Sequence, residues 1–298
     1  MGKVGYKHLL SLRPKSKEDQ QNAISTLRRD VMLEQVEAET DGTSTTRAYI
    51  WSIFLHSRPK SSEEYIRYVR QGPSPLAEKI RNDVSRTLVT DTFFHTRVSQ
   101  SSLSRVLNVY VWKKGTTYVQ GMNVLAAPFL YVCKSESQSY YMFEKLLQHE
   151  CPLYVVPNLD GVHRGLKLLD KCLELLDTKL YAYLISKGLP AKLYAFPSIL
   201  TLSACTAPLS EVLKLWDFLF AYGVHLNVLC VIAQLLVIRD ELISHPKPMK
   251  LLRKFPPLNA KDVIRLTVLL ITKIPRDLFD LLVRHCWDPD VGVVIDRL

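Results

Sequence analysis

Leucines stand at 166, 169, 173, 176, 180 and 184, every third or fourth position along one stretch of the chain. That spacing lays an apolar stripe along one face of a helix. The same period recurs at Ile24, Leu27 and Val31, at Leu76, Ile80 and Val84, and at Leu103, Val106, Leu107, Tyr110 and Val111. No run alternates with the two-residue period of a half-buried strand. A chain so patterned buries its apolar faces by packing helix on helix, so the expected fold class is all-α. At 298 residues and 47% hydrophobic content it can form one large domain or two fused subdomains.

Boundary signals divide the pattern. An apolar lead (Tyr6, Leu9, Leu10, Leu12) ends at Pro14, and Ser16 with Asp19 has the spacing of a capping box. Asp41-Gly42-Thr43-Ser44 predicts a loop, and the helix after it centres on Trp51, read as core. Ser61 with Glu64 predicts a second capping box, with Gly72 as the stop. Ser74-Pro75 predicts N-cap and first helical residue. Lys114-Gly115 ends the helix from Ser101. A polar break spans 134–139, a helix runs on to about His149, and the leucine stripe predicts one long helix ending at Lys187-Gly188. Helices follow over 210–222, 224–244 and 262–272, with Pro256-Pro257 opening the last helical segment.

Several function classes drop out. The formal charge is +10, from 39 Lys and Arg against 29 Asp and Glu. The cations are scattered, with no nucleic-acid motif among them, which favours an acidic protein partner over nucleic acid. Eight dispersed histidines without HExxH spacing argue against a metal site. Six cysteines, none in a close pair, predict buried reduced thiols in an intracellular protein. There is no secretory h-region, Tyr6 stands where a myristoylation motif wants Ser or Thr, and the apolar runs at 224–238 and 263–274 are too short and interrupted to span a bilayer. A soluble, cytoplasmic chain without a transmembrane segment is expected. It has no nucleophile elbow, Walker loop or Rossmann glycine set. Any phosphate chemistry here therefore uses a nucleotide held by another protein.

Two polar clusters mark helix boundaries, at 80–87 and 118–123. Arg86 carries a permanent charge and a planar fork of donors that suits phosphate oxygens. The Gln120 amide can accept from a water while donating to an oxygen. Gly121 suits a close backbone approach or an unusual dihedral. On the residues alone, a local Asp83–Arg86 ion pair and an ordinary turn at Gln120-Gly121 are the plainer readings.

Taken in order, the motifs resemble the TBC domain of GTPase-activating proteins for Rab-type GTPases. Arg47-x-x-x-Trp51, Ile80-x-x-Asp83-x-x-Arg86-Thr87 and Tyr118-x-Gln120-Gly121-Met122-Asn123 match its three signatures, and Leu215-Trp216-Asp217 matches a later Trp-Asp element. The resemblance implies a TBC domain of two helical subdomains over about 40–250, dividing near 150. A lead and helix (1–39) precede it, and a helical extension packed on it (251–298) follows. It implies that Arg86 is an arginine finger and Gln120 a glutamine finger. Asp83, Thr87, Tyr118, Gly121, Asn123, Arg47 and Trp51 support them. GTP and magnesium are bound by the partner GTPase, so no cofactor or metal of its own is implied.

The segment 193–200 lacks the Trp that many family members carry before the Trp-Asp helix. That departure, the compact length and 213–223 resemble the fungal cell-division branch. Its members are GAP subunits of two-component complexes that restrain mitotic exit or septation. The implied partners are a Ras/Rab-like small GTPase and a scaffold subunit, with recruitment to the spindle pole body. The alternative within the same fold is a non-catalytic module that tethers a GTPase and a scaffold.

Overall fold

The computed structural model describes residues 10, 16–34, 36, 45–57, 60–115 and 118–298. The lead residues Tyr6, Leu9, Leu12 and Pro14 and the loop at Asp41-Gly42-Thr43-Ser44 lie outside the described residues. Among those described, every regular element is helical, as the apolar period requires.

Helix α1 (Lys17–Glu34) opens where the capping pattern predicts, with Ser16 Oγ accepting from the Asp19 amide at 3.0 Å. After α2 (Thr45–Phe54), helix α3 (Glu63–Val69) departs from the expected cap. Ser61 Oγ accepts from the Glu63 amide, one residue short of Glu64, because the helix starts one residue later than a Ser61 cap requires. Helix α4 (Ala77–Val84) also starts late: Ser74-Pro75 forms the preceding turn, in which the Ser74 carbonyl accepts from the Ala77 amide. Helices α5 (Thr92–Arg97) and α6 (Gln100–Lys114) are capped by Asp91 and Ser99, and Gly115 closes α6 at φ 64°. Helix α7 (Met122–Val132) leads to α8 (Glu136–Lys145). Ser135 caps α8, so most of the polar stretch 134–139 is its first turn rather than a break. A π-helical turn, Leu146–Glu150, extends α8.

The leucine stripe is two helices, α9 (Asp160–Leu176) and α10 (Thr178–Ser186), where the spacing predicts one. Asp177 leaves helical geometry at φ −149°, ψ 79°, and its carboxylate accepts from the Leu180 amide at 2.9 Å. A side chain that offers the backbone a competing acceptor can end one helix and cap the next without disturbing the apolar period. The chain continues through α11 (Ala191–Tyr194), α12 (Phe196–Leu200), α13 (Leu209–Tyr222), α14 (Asn227–Val237) and α15 (Arg239–Ser244). The span 224–244 is thus a 3-10 turn and two helices that break at Ile238. Helices α16 (Met249–Leu252), α17 (Ala260–Ile271), α18 (Arg276–Arg284) and α19 (Gly292–Ile295) complete it.

Trp51 is fully buried, as expected, and sits in an aromatic cluster that joins the two halves of the chain. Its ring centroid lies 5.7 Å from Phe129 on α7, 5.7 Å from Trp216 and 5.1 Å from Phe220, both on α13. Five cysteines are buried free thiols, and Cys205 is exposed. No described helix is long and apolar enough to cross a membrane.

Candidate functional site

Two helix ends meet to make the site. Helix α4 turns Ile80 and Val84 into the core, which leaves Asp83 buried at its last turn. The chain then tightens, with the Arg86 amide donating to the Asp83 carbonyl and the Thr87 amide to the Val84 carbonyl, both at 3.2 Å. Arg86 emerges with its side chain 59% exposed. Opposite, α7 begins at Gly121, whose φ of 106° favours glycine. A Cβ there would lie 2.8 Å from Leu200 Cδ2, so the backbone needs the missing side chain as well as the dihedral. Gln120, one residue earlier, is exposed and makes no hydrogen bond to a described residue through its side chain.

Asp83 ties these ends together. Its Oδ1 accepts from Arg86 Nη2 at 2.5 Å, and its Oδ2 accepts from the Tyr118 hydroxyl at 2.8 Å. Its carbonyl accepts from Thr87 Oγ1 at 2.9 Å and Asn123 Nδ2 at 3.2 Å. Asn123 also donates to Thr87 Oγ1 at 2.9 Å, while its Oδ1 accepts from the Gly121 amide at 3.1 Å. Thus Asp83, Arg86, Thr87, Tyr118, Gly121 and Asn123 form one polar network, buried except at Arg86. Burial first, then the bond and charge of Asp83, push the Tyr118 phenol well above its usual range, so it stays a donor.

Lys79 belongs to this network and was not singled out from the sequence. Its Nζ donates to the Tyr118 carbonyl at 3.0 Å and stands 5.7 Å from the Tyr118 ring centroid. The available signal was its position four residues before Asp83 on the same helix face.

Arg47 and Trp51 do not join the Asp83 network. Spaced four apart on α2, they converge on Asp217 of α13. Arg47 Nε reaches Asp217 Oδ1 at 3.1 Å, Arg47 Nη2 reaches Oδ2 at 3.1 Å, and Trp51 Nε1 reaches Oδ1 at 2.7 Å. Burial raises the Asp217 carboxyl while Arg47 and Trp51 pull it down, and the arrangement is that of a carboxylate held by three donors. Their link to the site is mechanical: Trp51 packs on Phe129, and Phe129 is on the helix that begins beside Gln120. Asp217 was legible only as part of a motif, without its partner.

The arrangement presents an exposed guanidinium and an exposed amide on anchored backbone. Neither lines the cavities of about 440, 360 and 260 Å³ found elsewhere. Among the described residues no three His, Cys, Asp or Glu side chains converge as metal ligands.

Known proteins resemble this chain in sequence and in fold. Residues 44–243 match the family model of the Rab-GTPase-TBC domain. The chain is 65% identical to cell division control protein 16 of Schizosaccharomyces pombe over 298 residues, covering 100% of both chains. It is 42% identical to the mitotic check point protein BUB2 of Saccharomyces cerevisiae, over 91% of this chain and 94% of that one. In three dimensions it resembles the Chlamydomonas flagellar RabGAP TBC domain, with a TM-score of 0.67 at 16% identity, covering 95% of this chain and 89% of the other. The Ypt/Rab-GAP domain of Gyp1p aligns with a TM-score of 0.60 at 17% identity, covering 90% and 85%.

Proposed function

The chain belongs to the Rab-GTPase-TBC domain family, and we propose that it accelerates GTP hydrolysis on a Ras- or Rab-like small GTPase by supplying Arg86 and Gln120 in trans. The observation that carries this reading is the contrast within one network: Arg86 is exposed, yet its guanidinium is anchored on Asp83, whose other contacts fix the helix start beside Gln120. Hydrolysis of GTP needs charge neutralised between the β- and γ-phosphates and a water aligned for attack. Arg86 supplies the first through its fork of donors. Gln120 supplies the second, its carbonyl accepting from the water and its amide donating to a phosphate oxygen. GTP and magnesium arrive with the GTPase. Exposed Val89 and Phe93, the latter 77% accessible, place apolar surface just after Arg86, in keeping with a protein substrate.

The relatives named for cell division and a mitotic check point support a role in mitotic regulation. Within it, we assign the chain to the catalytic subunit of a two-component GAP that restrains mitotic exit or septation, bound to a scaffold subunit and recruited to the spindle pole body. The test is single-turnover GTP hydrolysis by a panel of small GTPases with wild type, Arg86→Ala and Gln120→Ala, each with and without a candidate scaffold. Stimulation lost in both variants supports the two-finger reading. Stimulation surviving both overturns it, and GTPase binding without any stimulation leaves a tethering module.

A further inference from the structure

A groove of about 440 Å³ runs between α1 and α17 over α13. Both flanking helices pack on α13. Helix α17 faces the groove with Ala260, Ile264 and Val268, an i, i+4, i+8 stripe, and Phe218 of α13 forms apolar floor. On the rims Met32 is 37% exposed and Leu269 53% exposed, unusual for large apolar side chains on one concave surface.

The charges beside this apolar floor have one free sign. Asp217 reaches the floor, but its carboxylate is held by Arg47 and Trp51. Lys214 is paired with Glu211 at 2.6 Å. Lys261 and Arg265, also one helical turn apart along α17, are exposed and make no ion pair among the described residues. The groove therefore offers apolar surface edged by two uncompensated cations, on a chain of net charge +10.

We propose that this groove docks an amphipathic helix of a partner protein, apolar face inward, with Asp or Glu along the flank that meets Lys261 and Arg265. A helix laid in a groove uses apolar anchors at i, i+3, i+4 and i+7, and a cavity of this volume holds several such side chains. The exposed cations steer an acidic helix and set its orientation, while the apolar floor supplies most of the affinity. A concave slot is poorly matched to a flat lipid surface. None of its lining residues belongs to the Asp83–Arg86 network, so the proposal stands apart from the hydrolysis reading, although it offers a place for the second component.

The test is a selection of displayed helical peptides of roughly 18 residues, five turns, against the full chain without any GTPase. Selected peptides should be amphipathic with Asp or Glu flanks, and bind one to one. Leu269→Glu, at an exposed position, should weaken them by about tenfold or more, roughly 1.4 kcal/mol, without changing the melting temperature. Lys261→Glu with Arg265→Glu should turn the selection toward Lys- and Arg-flanked peptides. GTPase stimulation measured on Leu269→Glu separates failure here from failure of the hydrolysis reading. The proposal is overturned if no acidic amphipathic peptide is selected, or if those selected bind Leu269→Glu as well as wild type. It also falls if sedimentation shows a self-dimer that Leu269→Glu disperses, if peptides bind only after deletion of 37–44, or if phosphatidylserine vesicles alone occupy the surface.

Discussion

The buried carboxylate of Asp83 holds the exposed guanidinium of Arg86 at 2.5 Å, and with its other oxygen holds the Tyr118 hydroxyl at 2.8 Å. An ion pair at a helix end is ordinarily a small, solvent-screened contact. Here the acid is buried and the base is not, so the pair acts as an anchor that aims one charged group outward while joining it to the backbone of a second helix.

Arg86→Lys should reduce stimulated hydrolysis almost as far as Arg86→Ala, by about 10³-fold or more. A compact ammonium cannot both keep the Asp83 contact and present a planar fork to two phosphates. Removing one donor to a charged acceptor costs about 1–3 kcal/mol of stability. Single-turnover rates beside thermal melts check both halves, and a Lys variant with near-native rates would contradict the finger role.

Asp83→Asn keeps the shape and an acceptor for Tyr118 but removes the charge that anchors Arg86. As a positioning change it should lower the maximal stimulated rate by about 10–10²-fold and leave the apparent KM for the GTPase unchanged. A purely structural role would instead lower activity only in proportion to the unfolded fraction.

Gly121→Ala meets strain twice, from φ 106° and from Leu200 Cδ2 at 2.8 Å. It should cost about 1–3 kcal/mol. Leu200→Ala opens the space but not the dihedral and carries its own core cost, so on that background Gly121→Ala should cost less but not nothing, read by chemical denaturation against Leu200→Ala alone. No cost on that background would mean that crowding alone selects glycine.

Asp217→Ala leaves Arg47 buried without its carboxylate and Trp51 Nε1 without its acceptor. The expected destabilisation is about 3–5 kcal/mol, read as a lowered denaturation midpoint. Trp51→Ala should cost a similar 3–5 kcal/mol through the cavity it leaves. A variant at either position that melts like wild type would refute the core assignment.

Acid should unfold the protein through two histidines, His285 fully buried and His225 half-buried. Burial pushes His285 down to about 4, and burial followed by the charge of His285 does the same for His225. His285 Nδ1 donates to the Leu282 carbonyl at 2.6 Å, so Nε2 accepts from the Tyr154 hydroxyl at 2.9 Å, and protonation reverses that bond and takes the acceptor from the Tyr154 O–H. Because the folded values lie below the ordinary 6.5, the stabilisation is present above pH 6.5 and is lost as pH falls toward 4. Denaturation midpoints across that window should drop, and His285→Gln should flatten the dependence.

How much was legible in advance follows the range of the interaction. Ser16 and Gly115 mark helix ends through contacts with residues three and four away, so the residue itself carries the boundary information. The stripe Ile80–Val84 likewise states which face of α4 is buried. The break at Asp177 was hidden because α9 and α10 keep the same apolar period across it, and the Arg239 contact that accompanies it comes from far along the chain.

By itself the sequence determined an all-helical chain, the families of residues that go inward, and the motif positions at which Arg86 and Gln120 appear. Local spacing and side-chain chemistry suffice for that, because a helix is closed by hydrogen bonds between near neighbours. Only the tertiary structure decided that Asp83 is shared between Arg86 and Tyr118, that Arg47 and Trp51 answer to Asp217, and that Leu200 enforces Gly121. Those partners are brought together by the packing of whole helices against one another, where shape and burial select contacts that no local period specifies.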